Sequence, residues 1–148
     1  MNKALLALLT GMFITFIMDY FLFLGVKINY FDFYEIKVFY NVLFADNQNF
    51  LIFFGFSFLF GFIVIFIGNK KLTILLISVL TLISIAPLFS DIGRSLGKMM
   101  FMKKNLTYNE AKYSFTGDVY YEGRTTIHFY DNDLKRIIIL QKDKLLKY

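Results

Sequence analysis

The sequence predicts an α-helical polytopic membrane protein, with three transmembrane helices and one interfacial amphipathic helix, ending in a small C-terminal antiparallel β-meander. Three apolar runs, residues 4–26, 50–68 and 72–90, contain one charged residue, Asp19, although the chain carries 16 Lys and Arg and 11 Asp and Glu. The segment between the first two runs has apolar residues at helical spacing, whereas from residue 105 onward the apolar period falls to two with turn residues between the stretches. These three patterns divide the chain into a membrane domain, residues 1–104, and a small β domain, residues 105–148.

Each apolar run is long enough to be a span, because a hydrocarbon core of roughly 30 Å needs about 20 helical residues. Phe, Ile and Val favour strands in water, but in lipid the backbone must satisfy its own hydrogen bonds, which selects the helix. The first run follows Met1-Asn2-Lys3 and has no small-x-small cleavage site near residues 19–26, so it is expected to remain as an anchor. The second and third runs are separated by Asn69-Lys70-Lys71 alone, which predicts an antiparallel hairpin with these two spans packed as neighbours. Ala7 with Gly11 and Ser57 with Gly61 place small residues four apart, the spacing that lets helices approach closely where lipid supplies no hydrophobic drive.

Between the first two spans, Phe33, Ile36, Phe39, Tyr40, Leu43 and Phe44 recur at helical spacing opposite Asp32, Glu35 and Asn41, predicting an interfacial helix over about residues 33–45. Asp32 and Glu35 have the spacing of a capping box, and Asp46-Asn47 is a stop signal. An aromatic loop packed over the bundle is the alternative. After the third span, residues 91–104 form an expected basic, half-apolar helical extension in which Lys98, Lys103 and Lys104 face the membrane surface. Fixing topology is the simpler role for the same charges.

The β domain is expected to have strands at residues 112–122, 125–130 and 134–140, joined at Gly123 and at Asp131-Asn132-Asp133, with a further strand at 144–148. Its 44 residues are few for a core of their own, so Ile137-Ile138-Ile139-Leu140 call for cover from a second copy, a partner or the membrane extension.

Asp19 is the residue to explain. It lies past the middle of its run, toward the membrane face where Arg94 and Asp91 follow the third span, and Arg94 is long enough to reach back and pair with it. A proton-relay carboxylate or a contact to a partner's helix are the functional alternatives. Cysteine is absent, which removes thiolate metal centres and thiol nucleophiles, and His128, the one histidine, has neither a second histidine nor clustered carboxylates beside it in sequence. Gly93 and Gly97 lack the phosphate-loop pattern. From Asp91 onward, eleven basic and seven acidic residues interleave instead of forming a stripe, so no nucleic-acid partner is expected. Neither a catalytic set, a cofactor nor a metal site is expected.

The expected function is therefore non-enzymatic: an accessory, assembly or chaperone subunit of a larger bacterial membrane complex for motility, secretion or transport. Its spans would bind partner helices and its sheet a soluble part. The alternative is a small homo-oligomeric transporter or channel with Asp19 in the pathway. Expected partners are membrane lipid and either another integral membrane protein or further copies of the chain. Sparse Pro with abundant Phe, Ile, Lys and Asn is the usage of an AT-rich bacterial genome, which suggests a bacterial inner membrane. Lys27, Lys37, Arg94, Lys98, Lys103 and Lys104 on one side against Lys3, Lys70 and Lys71 on the other lean toward a cytoplasmic C-terminal domain.

Overall fold

The computed structural model describes residues 2–110 and 113–146. It has five helices followed by a four-stranded antiparallel sheet, and the chain folds as two units, Met1–Arg94 and Ser95–Tyr148.

In the first unit α1 (Lys3–Val26) starts at Asn2, whose side chain accepts a hydrogen bond from the Ala4 N–H. Asn49 and Asn69 cap α3 (Phe50–Phe66) and α4 (Lys70–Ile85) in the same way, each accepting from two N–H groups of the first turn. With the π-helical turn Lys27–Phe31, α1 forms a continuous 29-residue rod that contains an 18-residue stretch of mean hydropathy 2.0. With its following 3-10 turn, α4 extends over Lys70–Leu88 and contains an 18-residue stretch of mean hydropathy 2.1. Both are long and apolar enough to cross a membrane. At 17 residues, or about 25 Å, α3 is shorter, and it qualifies only together with α2 (Tyr40–Asn47), from which it is bent by 87°. Among the described residues, two helices are thus long and apolar enough to cross a membrane, or three if the bent pair counts as one.

The interfacial helix expected over 33–45 begins later, at Tyr40. Residues 32–35 form a turn in which Glu35 has a φ of 56°, a left-handed conformation that ends any helix through this segment. Asp32 and Glu35 thus belong to this turn, with the Glu35 N–H bonded to the Asp32 carbonyl, and Phe39, which precedes α2, gives it no side-chain cap. Residues 36–39 are irregular, with the Val38 N–H bonded to the Ile36 carbonyl, and Val26, Tyr30, Phe31, Ile36 and Leu43 are all 1 % exposed or less. The aromatic segment is a folded knot at the end of α1.

The hairpin of α3 and α4 is joined by the short connection expected, but the intimate partner of α3 is α1. Ala7, Gly11 and Thr15 are buried on α1, and Ser57, Phe60, Gly61 and Ile63 on α3, whereas α4 has no buried residue. Backbone proximity explains this preference: a Cβ on Gly11 would lie 1.7 Å from the Ser57 carbonyl oxygen, and one on Gly61 2.0 Å from that of Ala7. Matching Ala7 to Gly61 and Gly11 to Ser57 makes the two helices antiparallel.

The third apolar run does not continue as one helix into residues 91–104. Pro87, the one proline in the chain, has no N–H to extend α4, so Ala86–Leu88 tighten into a 3-10 turn and Phe89 is extended before α5 (Ser90–Phe101) begins.

In the second unit α5 ends at Phe101, and residues 103 and 104, expected in the helical extension, start β1 (Lys103–Glu110). The sheet continues through β2 (Tyr113–Glu122), β3 (Thr126–Asp131) and β4 (Arg136–Gln141) in the order β1-β2-β3-β4. Asp131 shapes the β3–β4 turn by accepting hydrogen bonds from the Asp133 and Leu134 N–H groups at 2.8 and 2.9 Å, and Lys135 takes a φ of 52°. Leu145 bridges to Glu110, and the Leu146 N–H bonds to the Asn109 carbonyl, so the segment after β4 folds back onto β1. Residues 147 and 148 of the expected last strand, and residue 112 at the expected start of β2, lie outside the described residues. The sheet thereby curls over a core of Val119, Ile127, Phe129 and Leu140, with Leu106, Tyr108, Phe115, Ile138 and Leu145 packed against them. Curling supplies the core with cover from the sheet's own strands.

Candidate functional site

Asp19 sits where three elements meet. Sixteen residues along α1 from Lys3, it is about 24 Å from that end of the helix, level with the corner between α2 and α3. Gln48, the first of the two residues between those helices, donates from Nε2 to Asp19 Oδ2 at 2.8 Å. Around them α2 rests on α1: Phe44 meets Phe16 and Phe23 edge-on, Tyr40 meets Tyr20 at 5.3 Å between ring centroids, and Tyr40 Oη donates to the Tyr20 carbonyl at 3.3 Å. The Gln48 Oε1 atom is buried without a partner.

Arg94 is placed elsewhere. Its guanidinium carbon lies 3.7 Å from the centroid of the Phe33 ring, a cation–π contact, and no ion pair joins it to Asp19 among the described residues. Asp91 is exposed on the first turn of α5. The structure therefore brings Asp19 to Gln48, with Arg94 on an aromatic ring.

The four small residues Ala7, Gly11, Ser57 and Gly61 do come together in the α1–α3 seam. Thr15 extends it: its hydroxyl donates to the Gly11 carbonyl at 2.9 Å, and the Ser57 hydroxyl, which donates to the Phe53 carbonyl at 2.7 Å, also lies 3.3 Å from Thr15 Oγ1. Both hydroxyl groups are buried and satisfied within the seam.

A second tight junction is not foreshadowed by any local pattern. Asn29 Nδ2 donates to the Pro87 and Leu88 carbonyls at 2.9 and 3.0 Å, satisfying two acceptors where the proline interrupts the helix. Added Cβ atoms at Gly25 and Gly93 would lie 2.4 Å from the Pro87 carbonyl carbon and 2.1 Å from its oxygen, respectively. The single proline, followed by a glycine six residues later, was the available signal; its partner Asn29 lies 58 residues away in sequence and only folding pairs them.

In the second unit Glu122 grips Lys103 and Lys142, each Nζ 2.8 Å from a carboxylate oxygen, and these two hydrogen bonds hold its carboxyl below the ordinary glutamate value. The same carboxylate raises the Lys103 ammonium above its ordinary value. Lys103 is thus engaged by an ion pair, while Lys98 and Lys104 are exposed. His128 is buried in β3 with its ring 6.2 Å from that of Tyr121, and desolvation holds its imidazole below the ordinary value. Among the described residues no group of three or more His, Cys, Asp or Glu gathers as a metal site.

Chemically, the Asp19 corner can fasten helices: one carboxylate on α1 holds the residue at which the chain turns from α2 into α3. Compared with protein-family models, with curated protein sequences and with solved structures, the chain finds no match in any of the three.

Proposed function

We propose that the chain is a non-enzymatic accessory subunit of a larger membrane assembly, using α4 to lie against a partner's helix and the outer face of its sheet to meet a soluble part of that partner. The observation that carries this reading is α4 itself: none of its sixteen residues is fully buried within the chain, and Leu72, Ile74, Leu75, Val79, Leu82 and Ile83 are exposed, so that face is available to pack on another protein. The sheet face opposite the core supports it where it is exposed, beside the buried Tyr121 and His128. There Tyr120 and Tyr130 stack at 5.9 Å and Ile139 is 57 % exposed. The Asp19–Gln48 bond favours a fastening role for the carboxylate over a place in a conduction pathway.

The proposed setting is a bacterial inner membrane with the sheet on the cytoplasmic side, following the excess of lysine and arginine near the spans on that side. A C-terminal reporter fusion active only in the cytoplasm tests the orientation. For the function, the tagged full chain is purified in mild detergent. A single unrelated membrane protein recovered at fixed stoichiometry, and lost with Ile139→Asp or with bulky substitutions at the exposed Leu75, Val79 and Leu82, supports the accessory role. Recovery of the chain alone or as a homo-oligomer overturns it.

A further inference from the structure

The antiparallel match of α1 and α3 puts Phe66, the last residue of α3, beside the start of α1, and α4 begins four residues later. Lys3, Lys70 and Lys71 therefore gather at one end of the first unit. All three are exposed, and no carboxylate lies within residues 2–18 or 50–90 to neutralise them. None of their ammonium groups has an ion-pair partner among the described residues. From this basic end an apolar groove of about 410 Å³ runs between α1 and α3, lined among others by Ala4, Leu8, Phe58, Phe62 and Phe66. Alanines at positions 4 and 7 of α1 leave the trough, and phenylalanines of α3 form its wall.

We propose that this groove is the seat of one anionic phospholipid, its acyl chain lying along Ala4, Leu8, Phe58, Phe62 and Phe66 and its phosphate held by Lys3, Lys70 and Lys71. A groove with apolar walls along a helix long and apolar enough to cross the bilayer takes hydrocarbon, and uncompensated lysines where it opens select a negative headgroup. The neighbouring α1–α3 seam is closed by backbone contact at Gly11 and Gly61, which fixes the trough's shape whether or not it is filled. Both features occur at the same end of the same helix pair, so a single lipid satisfies them together.

The chain has no tryptophan, so Phe62→Trp makes a single fluorescent reporter in the groove. The full-length variant in mild detergent is titrated with phosphatidylglycerol and with phosphatidylcholine, both carrying brominated acyl chains that quench indole. Saturable quenching that favours phosphatidylglycerol is expected, with the preference falling about fivefold for each lysine replaced by glutamine at positions 3, 70 and 71. A second reporter, Phe13→Trp, at a position of α1 that is 67 % exposed and does not line the groove, is expected to show no preference. Equal quenching by the two lipids at position 62 would mean ordinary lipid contact and overturns the proposal; so does absence of quenching, which would mean that protein fills the groove. Neither outcome depends on the lysine variants folding, because both are read on the chain with its lysines intact.

Discussion

Gly61 and Gly55 lie in the same helix, yet an added methyl group has opposite consequences at the two. At Gly61 it meets the Ala7 carbonyl oxygen at 2.0 Å, whereas at Gly55 nothing lies within 4 Å. Gly61→Ala is expected to push α3 off α1 and cost about 1–3 kcal/mol, while Gly55→Ala is neutral or stabilising through its helix propensity. Unfolding of the full chain by increasing sodium dodecyl sulfate in mixed micelles checks both, and equal effects would show that the seam is not closed by backbone contact. Asp19 yields a second comparison. Gln48→Ala leaves a half-buried carboxylate without its donor, at about 1–3 kcal/mol, whereas Asp19→Asn retains an oxygen that can accept from Gln48 and is expected to cost less. The same titration reads this difference, and a larger loss for Asp19→Asn would mean that the charge itself serves a purpose beyond this hydrogen bond.

The elements show which local rules survive packing. Three asparagines cap three helices, and the one proline ends α4, as local chemistry demands. The first loop went against its periodicity. Phe33, Ile36, Tyr40 and Leu43 have helical spacing, but burying Tyr30, Phe31 and Ile36 in one knot requires the chain to reverse at Glu35. A non-glycine residue in the left-handed region costs about 1–2 kcal/mol, partly recovered in glycine's greater flexibility when unfolded. Glu35→Gly and Lys135→Gly are each expected to stabilise the chain by about 0.5–1 kcal/mol, measured by thermal unfolding in detergent. Lys135→Ala, with a Cβ retained, should give no such gain; if it matched Lys135→Gly, backbone strain would not be the cause.

At the scale of the molecule, each unit is held by a device that its amino-acid pattern only half discloses. The first unit relies on the small-residue seam and the Asn29–Pro87 junction, the second on the curled sheet and the Glu122 clasp. Glu122 has a lowered folded value, so the stability it adds is present above the ordinary carboxylate range and lost as pH falls through the lowered value. Lys103, with a raised value, adds stability that is complete below the ordinary lysine range and lost as pH rises through the raised one. Unfolding of the full chain followed across acid pH should therefore be less pH-dependent in Glu122→Gln than in the parent. Exposure of the clasp limits its worth to about 1 kcal/mol or less at neutral pH. An unchanged acid profile would assign the acid sensitivity to other carboxylates.

The sequence by itself determined that apolar helices precede an antiparallel sheet and which small residues allow close approach, because hydropathy, turn chemistry and residue size act locally. Ala7 with Gly11 and Ser57 with Gly61 were legible as two separate pairs for this reason. Only the tertiary structure decided that α1 rather than α4 is the close partner of α3, that Gln48 takes Asp19 while Arg94 lies on Phe33, and that Asn29 serves the carbonyls at Pro87. Those choices join residues 29 to 61 positions apart, and they turn on competition among several partners of suitable chemistry. Local pattern supplies the candidates; the volume and backbone approach available in the folded chain select among them.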